Sequence, residues 1–294
     1  MKKHLRVLVC LLLLTIFLVS CSGNNSGKTK DSQGTTETTG QTEKSEEIKA
    51  DDPATEKKKV LRVGVTAQYK PWCYQEGEEI VGVDIDILRE ICKRMGDYDM
   101  EFTVTSFDGM FGLLDVGKVD TVAEQITVNE ARKEKYVFSD IFAYNPYMLM
   151  VHEEDESIKS LEDLKGKKYV GPPQGQKLEF IKKHKAENDP NDEIEVLTSD
   201  NEDINWIGQK KADATVHAVA PFKQVKEESG LPLKLVGETV YTEENAYPFA
   251  KDVDKEFLES FNQALQSMKD DGFLSELYLK YFGVDISKAD VEIK

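Results

Sequence analysis

The sequence predicts an α/β protein built as two lobes of related design. Strand and helix patterns alternate from Val60 onward, and a second alternating set begins after Ser160. The string Gly117-Lys118-Val119-Asp120-Thr121-Val122 also has a counterpart in Lys211-Ala212-Asp213-Ala214-Thr215-Val216. Repeated strand–helix–strand units are the signature of parallel strands covered by helices. Both strings follow a helical segment, turn on Lys-x-Asp and enter a short strand. Asp120 and Asp213 therefore read as turn residues rather than ligand contacts.

In the first set, Leu61, Val63 and Val65 alternate with polar or small neighbours, as a strand does. An aromatic turn, Tyr69-Lys70-Pro71-Trp72-Cys73-Tyr74, follows. Ile85, Leu88, Ile91, Cys92 and Met95 recur at helical spacing, and Gly96 ends that helix. Residues 102–104 return as a strand, Ser106-Phe107-Asp108-Gly109 opens a short helix ending at Gly117, and residues 119–122 form another strand. In the second set Ser160-Leu161-Glu162-Asp163 has the form of a capping box. Residues 168–170 and 195–197 read as strands, 171–175 as a loop before a helix, and Ser199 as the cap of a helix reaching Gln209. Near the C-terminus, Phe257, Phe261, Leu265 and Met268 form one apolar stripe. After Gly272, the residues Phe273, Leu277, Tyr278 and Tyr281 form a second, ending at Gly283. Such stripes belong to a core.

The first residues are expected to lie outside the fold. Lys2, Lys3 and Arg6 precede an apolar run from Val7 to Val19, which is short for a membrane span and patterned as an export signal. It ends in Leu18-Val19-Ser20-Cys21, which resembles a bacterial lipobox; residues 1–21 are then a lipoprotein signal with Cys21 as the lipid anchor. Residues 22–57 are rich in Ser, Thr, Gly, Asn, Gln, Lys and Glu and read as a disordered tether. The net charge of −17 over 294 residues argues against nucleic acid, whose recognition needs a basic face. Of the four cysteines, Cys73 and Cys92 remain beyond the leader. A bridge between them and two free thiols both stand as readings, with the apolar helical face around Cys92 favouring a buried thiol. Neither cysteine has metal-ligand spacing, and no cofactor or metal is expected.

From about residue 60 to 284 the chain resembles the type 3, polar amino acid, solute-binding proteins of ATP-driven importers. The resemblance rests on pieces in the family's order. These are Leu61-Arg62-Val63-Gly64-Val65, Tyr69-Lys70-Pro71-Trp72, Val81-Gly82-Val83-Asp84-Ile85-Asp86, Phe107-Asp108-Gly109, Ile126-Thr127-Val128-Asn129-Glu130-Ala131-Arg132 and Phe138-Ser139-Asp140. The segments Phe261-Asn262-Gln263-Ala264-Leu265, Asp271-Gly272 and Tyr281-Phe282-Gly283 complete it. It implies the two-lobed periplasmic-binding-protein type II fold, an α/β fold whose lobes are joined by two crossover strands with the ligand cleft between them. On that basis residues 58–147 open lobe 1, 148–244 form lobe 2, 245–284 return to lobe 1, and 285–294 are a tail. The crossovers are expected near residues 143–150 and 245–251, with the lobes closing about this hinge.

The resemblance also implies a ligand site. Arg132 stands where the family holds an α-carboxylate, a task suited to a planar guanidinium fork. Only five of the 38 basic residues are arginine, which sets Arg132 apart from generic surface charge. Thr127 and Gln125 match positions touching the same carboxylate or the ligand backbone. Trp72, Phe107 and Tyr69 match the aromatic walls. Gln176, after Gly175, replaces the usual Thr or Ser at a helix N-terminus whose amides can meet an anion. Ala218 is a departure, because relatives carry there an Asp that holds the α-ammonium. Either Glu124 supplies that anion or the ligand lacks an amine there; His217 can also face the cleft. The strings Ala123-Glu124-Gln125-Ile126-Thr127, Tyr144-Asn145-Pro146 and Tyr247-Pro248-Phe249 resemble the cystine-type branch most.

The expected protein is thus a non-enzymatic, monomeric binding component on the extracellular face. It would be held to the membrane by lipid alone and would deliver a small polar amino acid, with cystine the first guess and glutamine or another polar amino acid next, to the importer's transmembrane subunits. Two other classes stay open. The same fold serves dehydratases, for which Glu124 would be the acid, although an export signal fits poorly with intracellular substrates. A ligand-sensing module for a membrane receptor is the third.

Overall fold

The computed structural model describes residues 58–96, 98–200 and 203–293. The expected signal, Cys21 and tether lie outside these residues. Among those described, no helix is long and apolar enough to cross a membrane.

Lobe 1 opens with β1 (Val60–Val65), then the small meander β2 (Gln68–Tyr69), β3 (Cys73–Glu76) and β4 (Glu79–Val81). Helix α1 (Val83–Arg94), β5 (Asp99–Val104), α2 (Phe107–Asp115) and β6 (Thr121–Val122) follow. Strand β1 lies between β5 and β6, parallel to both, with Val63 opposite Phe102 and Thr121. The alternation read from the sequence places Leu61, Val63 and Val65 in one core with Ile85, Leu88 and Ile91 of α1. Met110, Leu114, Val119 and Val122 build a second cluster with Ile126. The short α3 (Glu130–Lys133) and β7 (Tyr136–Phe138) lead into the long strand β8 (Ala143–His152).

Lobe 2 continues through a capped 3-10 turn at Leu161–Leu164, where Ser160 and Asp163 form the expected capping box. Then come β9 (Lys168–Gly171), α4 (Gln176–Asn188), β10 (Glu195–Thr198), α5 (Asp203–Gly208), β11 (Ala214–Ala218), α6 (Val219–Ser229) and β12 (Leu233–Asn245). They make a five-stranded sheet in the order β10-β9-β11-β8-β12. Strand β13 (Pro248–Ala250) re-enters lobe 1 beside β7, and α7 (Lys255–Asp270) and α8 (Phe273–Phe282) close it. Phe261, Leu265, Met268, Leu277 and Tyr278 are buried there, as their stripes require.

The crossovers are the antiparallel strands β8 and β12, which stay paired from Tyr147↔Tyr241 to Ala143↔Asn245. The second crossing therefore lies within β12 and ends at Asn245, rather than running from 245 to 251. The polar run Tyr241-Thr242-Glu243-Glu244 masks a strand that no hydrophobic alternation announces. Cys73 and Cys92 are both free and buried.

The matched Lys-x-Asp strings perform the same task in each lobe. The Asp120 N–H donates to the Arg62 carbonyl at 2.8 Å, and its carboxylate accepts from the Arg62 N–H at 2.8 Å. In lobe 2 the Asp213 N–H donates to the Lys168 carbonyl at 2.8 Å and its carboxylate accepts from the Lys168 N–H at 2.7 Å. Each aspartate thus pins the turn to the neighbouring strand and satisfies groups that would otherwise be left over. Asp213→Ala is expected to destabilise the protein by about 1–3 kcal/mol in denaturant titrations without changing ligand affinity. Unchanged stability, or lost binding, would contradict the structural role.

Candidate functional site

The site is built outward from α1. Gly82, with φ at +126°, sits where a Cβ would come within 2.4 Å of the Trp72 carbonyl oxygen. Only glycine lets the aromatic turn fold back so closely. The Pro71 and Trp72 carbonyls then accept the N–H groups of Val83 and Asp84, both at 3.0 Å. This seats Asp84, which is fully buried, with its Oδ2 accepting from the Gln125 N–H at 2.6 Å. Gln125 has φ at +51°, a left-handed conformation uncommon for a side-chain-bearing residue. The Asp84 bond holds it there.

The kink directs everything that follows. Gln125 turns its amide toward Tyr69, whose hydroxyl donates to Oε1 at 2.9 Å. The Gln125 Nε2 is buried with no partner among the described residues. Thr127 bridges to Asn245 at the end of β12, flanked by Val128 N–H donating to the Glu244 carbonyl at 2.8 Å. Asn129 then caps α3 by accepting the Arg132 N–H at 2.9 Å.

Arg132 is half-buried, and its Nη1 donates to the Thr127 carbonyl at 2.7 Å. Its guanidinium carbon lies 5.7 Å from the ring centre of Phe107 and 5.3 Å from that of Phe111. Both are cation–π distances. Burial pulls its pKa down and the nearby Glu243 charge opposes this, so it stays cationic. Arg62, Arg89 and Arg94 each pair with a carboxylate. Arg132 has none within ion-pair distance among the described residues. Phe107 beside it is 42% exposed, and Tyr69, bonded to Gln125, is 44% exposed.

Two expected contacts need correction. Trp72 was expected as an aromatic wall, yet it is 0% exposed and packs on Phe282 at 5.0 Å between ring centres. The meander turns it inward as Tyr69 turns outward. Glu124 was expected to reach a ligand amine, but it is only 7% exposed and its oxygens are engaged within lobe 1. The Thr66 N–H donates to Oε2 at 3.1 Å, the Thr66 hydroxyl donates to Oε1, and the Cys73 thiol adds a third bond.

Lobe 2 contributes less than expected from Gln176, which is exposed at the first turn of α4 with no side-chain bond among the described residues. Its neighbour Lys177 is mostly buried and pairs with Asp203 at 3.0 Å. Ala218 caps α6 and offers only a methyl group. His217 lies beside it, held to about 4 by burial and the Lys177 charge, and so is neutral at pH 7.

Sequence reasoning missed Glu243 and Tyr147 of the crossover strands. Glu243 Oε2 accepts from the Thr127 hydroxyl and the Tyr147 hydroxyl, each at 3.2 Å. Glu243 is partly buried, and desolvation raises its pKa. Its sequence signal is an acidic pair in a polar run without hydrophobic alternation.

The Asp84 carboxyl has a pH signature. Burial pushes it from 3.8 up to about 8, with the nearby Glu124 charge adding to the rise and the Gln125 N–H opposing it. The folded protein thus keeps a proton that the unfolded chain releases. Stability from this group falls as pH rises from about 4 to about 8, then levels off. Asp84→Asn keeps the acceptor and cannot ionise. The melting temperature of the variant relative to wild type should therefore rise across that window; a constant difference would place the proton elsewhere.

Residues 61–284 match the family described as bacterial extracellular solute-binding proteins, family 3. The chain is 33% identical over 229 residues to the putative amino-acid ABC transporter-binding protein PatH of Vibrio harveyi, covering 78% of this chain and 90% of that one. It is 28% identical over 291 residues to the L-cystine-binding protein TcyA of Bacillus subtilis, covering 98% and 100%. Among solved structures, it is similar to the probable amino-acid ABC transporter extracellular-binding protein YtmK of Bacillus subtilis. That structure has a TM-score of 0.71 and 26% identity, covering 77% of this chain and 99% of that one.

Proposed function

The chain belongs to the bacterial extracellular solute-binding proteins, family 3, and on that premise we propose that it captures a free polar α-amino acid for an ABC importer, with L-cystine the first candidate. The observation that carries this reading is Arg132. It is a half-buried cation with no carboxylate partner among the described residues, and its guanidinium is fixed by the Thr127 carbonyl and two aromatic faces. Keeping a cation partly out of water without an anion is costly unless a ligand supplies one. A carboxylate fits its remaining donors.

The exposed ring of Phe107 beside it, and that of Tyr69 bonded to Gln125, offer rigid apolar area for a side chain. Gln125 Nε2 is a buried donor without a partner, which suits a second ligand oxygen. The cystine assignment is supported by the similarity to TcyA. Lipid anchoring through Cys21 is supported by the apolar run and the Leu18-Val19-Ser20-Cys21 string. Against the dehydratase alternative stands the engagement of Glu124, its candidate acid, by the Thr66 N–H and hydroxyl.

A thermal-shift screen against the common L-amino acids and L-cystine should show a raised midpoint with at least one of them. Arg132→Ala should weaken that ligand by more than about a hundredfold while leaving the unliganded melting temperature nearly unchanged, because removing one partner of a buried charge pair costs ~3–5 kcal/mol. Wild-type affinity in the variant would exclude the carboxylate role.

A further inference from the structure

We propose that Glu243, on the second crossover strand, receives the ligand's α-ammonium, with Thr127 as a second acceptor. The assignment rests on the amino-acid reading above and adds the residue that reads the amine.

Glu243 is partly buried, yet no lysine or arginine among the described residues lies within ion-pair distance of it. Arg132 and Lys177 are near enough to favour its charge and do not touch it. Its direct partners are two neutral hydroxyls, those of Thr127 and Tyr147, each at 3.2 Å from Oε2. Oε1 receives no hydrogen bond among the described residues. A carboxylate so placed is incompletely compensated, and a cation brought by a ligand would complete it.

The polarity of the neighbours narrows the cation. A hydroxyl has one proton, and Thr127 and Tyr147 each spend theirs on Glu243. What they offer to a ligand is lone pairs. Glu243 and Thr127 together make an acceptor patch, complementary to an ammonium with three donors. The donor patch is adjacent, because the carbonyl of the same Thr127 anchors the Arg132 guanidinium at 2.7 Å. Thr127 is thus the seam between a group that only donates and groups that only accept. An α-amino acid carries its carboxylate and ammonium on one carbon and meets both patches at once.

The other carboxylates nearby are taken. Glu124 is held by Thr66 and Cys73. Asp84 is fully buried and bonded to the Gln125 N–H. Asp203 is paired with Lys177 at 3.0 Å.

The test is isothermal titration of the purified protein with L-cystine and the common L-amino acids, each beside its deamino analogue, which keeps the carboxylate and side chain. Wild type should prefer the amine-bearing member. Glu243→Gln, which can still accept from Thr127 and Tyr147, should weaken that member about thirtyfold or more and leave the analogue within about threefold, as expected for loss of one partner of a desolvated charge pair. Glu243→Asp should keep the amine preference, and Thr127→Val should lower it severalfold, so the proposal remains testable if the glutamine variant misfolds. Equal weakening of both members, or of neither, would overturn the assignment. Wild-type binding of amine-free compounds alone would overturn it while leaving the Arg132 role intact. Wild-type binding of neither class would overturn the amino-acid reading itself, before any variant is made.

Discussion

The site hangs on one buried hydrogen bond, from the Gln125 N–H to the Asp84 carboxyl. It holds a side-chain-bearing residue at φ +51° and so sets the direction of the chain from Gln125 to Arg132. Without that kink the Gln125 amide would not meet Tyr69, and the backbone would not reach Asn245. Asn129 would not start α3 where Arg132 can return to the Thr127 carbonyl. The bond in turn needs Gly82, because a Cβ there would collide with the Trp72 carbonyl that seats α1. A short string at the head of α1 therefore governs groups some fifty residues downstream. Backbone strain of this kind persists where the surrounding structure over-determines it, and such places cluster at ligand clamps.

The second constraint is the pairing of β8 with β12. Because these strands run side by side through both crossings, the lobes share one hydrogen-bonded ribbon. Thr127 of lobe 1 is stitched to that ribbon at Asn245, and Glu243 and Tyr147 project from it. The cation thus comes from lobe 1 and the unpaired carboxylate from the hinge. Lobe 2 brings the Lys177–Asp203 pair and the exposed start of α4. Under the proposed function, a ligand bridging these parts would tie the lobes to the hinge, which is the physical content of closure around a cleft. The recurrence of one aspartate device in both lobes fits this division, because each lobe secures its own sheet and leaves the junction to the groups proposed to hold the ligand.

Much of the architecture was legible in the sequence, because buried strands and helices carry their periodicity openly. Leu61, Val63 and Val65 announce β1, the apolar spacing from Ile85 to Cys92 announces α1, and the paired Lys-x-Asp strings announce a repeat. Arg132 is singled out by the ordered motif around it, and the structure shows it half-buried with no carboxylate within ion-pair distance among the described residues. The orientation of Trp72 was not legible, because an aromatic in a four-residue turn gives no sign of which way it points; packing on Phe282, far along the chain, decides that. Glu124 was misplaced for a related reason. Alternation tells which residues share a face, but not that Thr66 would close over the carboxylate. Glu243 lies 116 residues from Thr127 in sequence, and only the pairing of the crossover strands brings them together.

The most direct measurement is a crystal structure of the protein grown with the amino acid that gives the largest thermal shift. The α-carboxylate should lie within hydrogen-bond distance of the Arg132 guanidinium, with the ligand's side chain against the rings of Tyr69 and Phe107. A ligand seated with its amine toward Arg132, or bound away from Arg132 altogether, would contradict the central claim that this guanidinium awaits an anion from outside the chain.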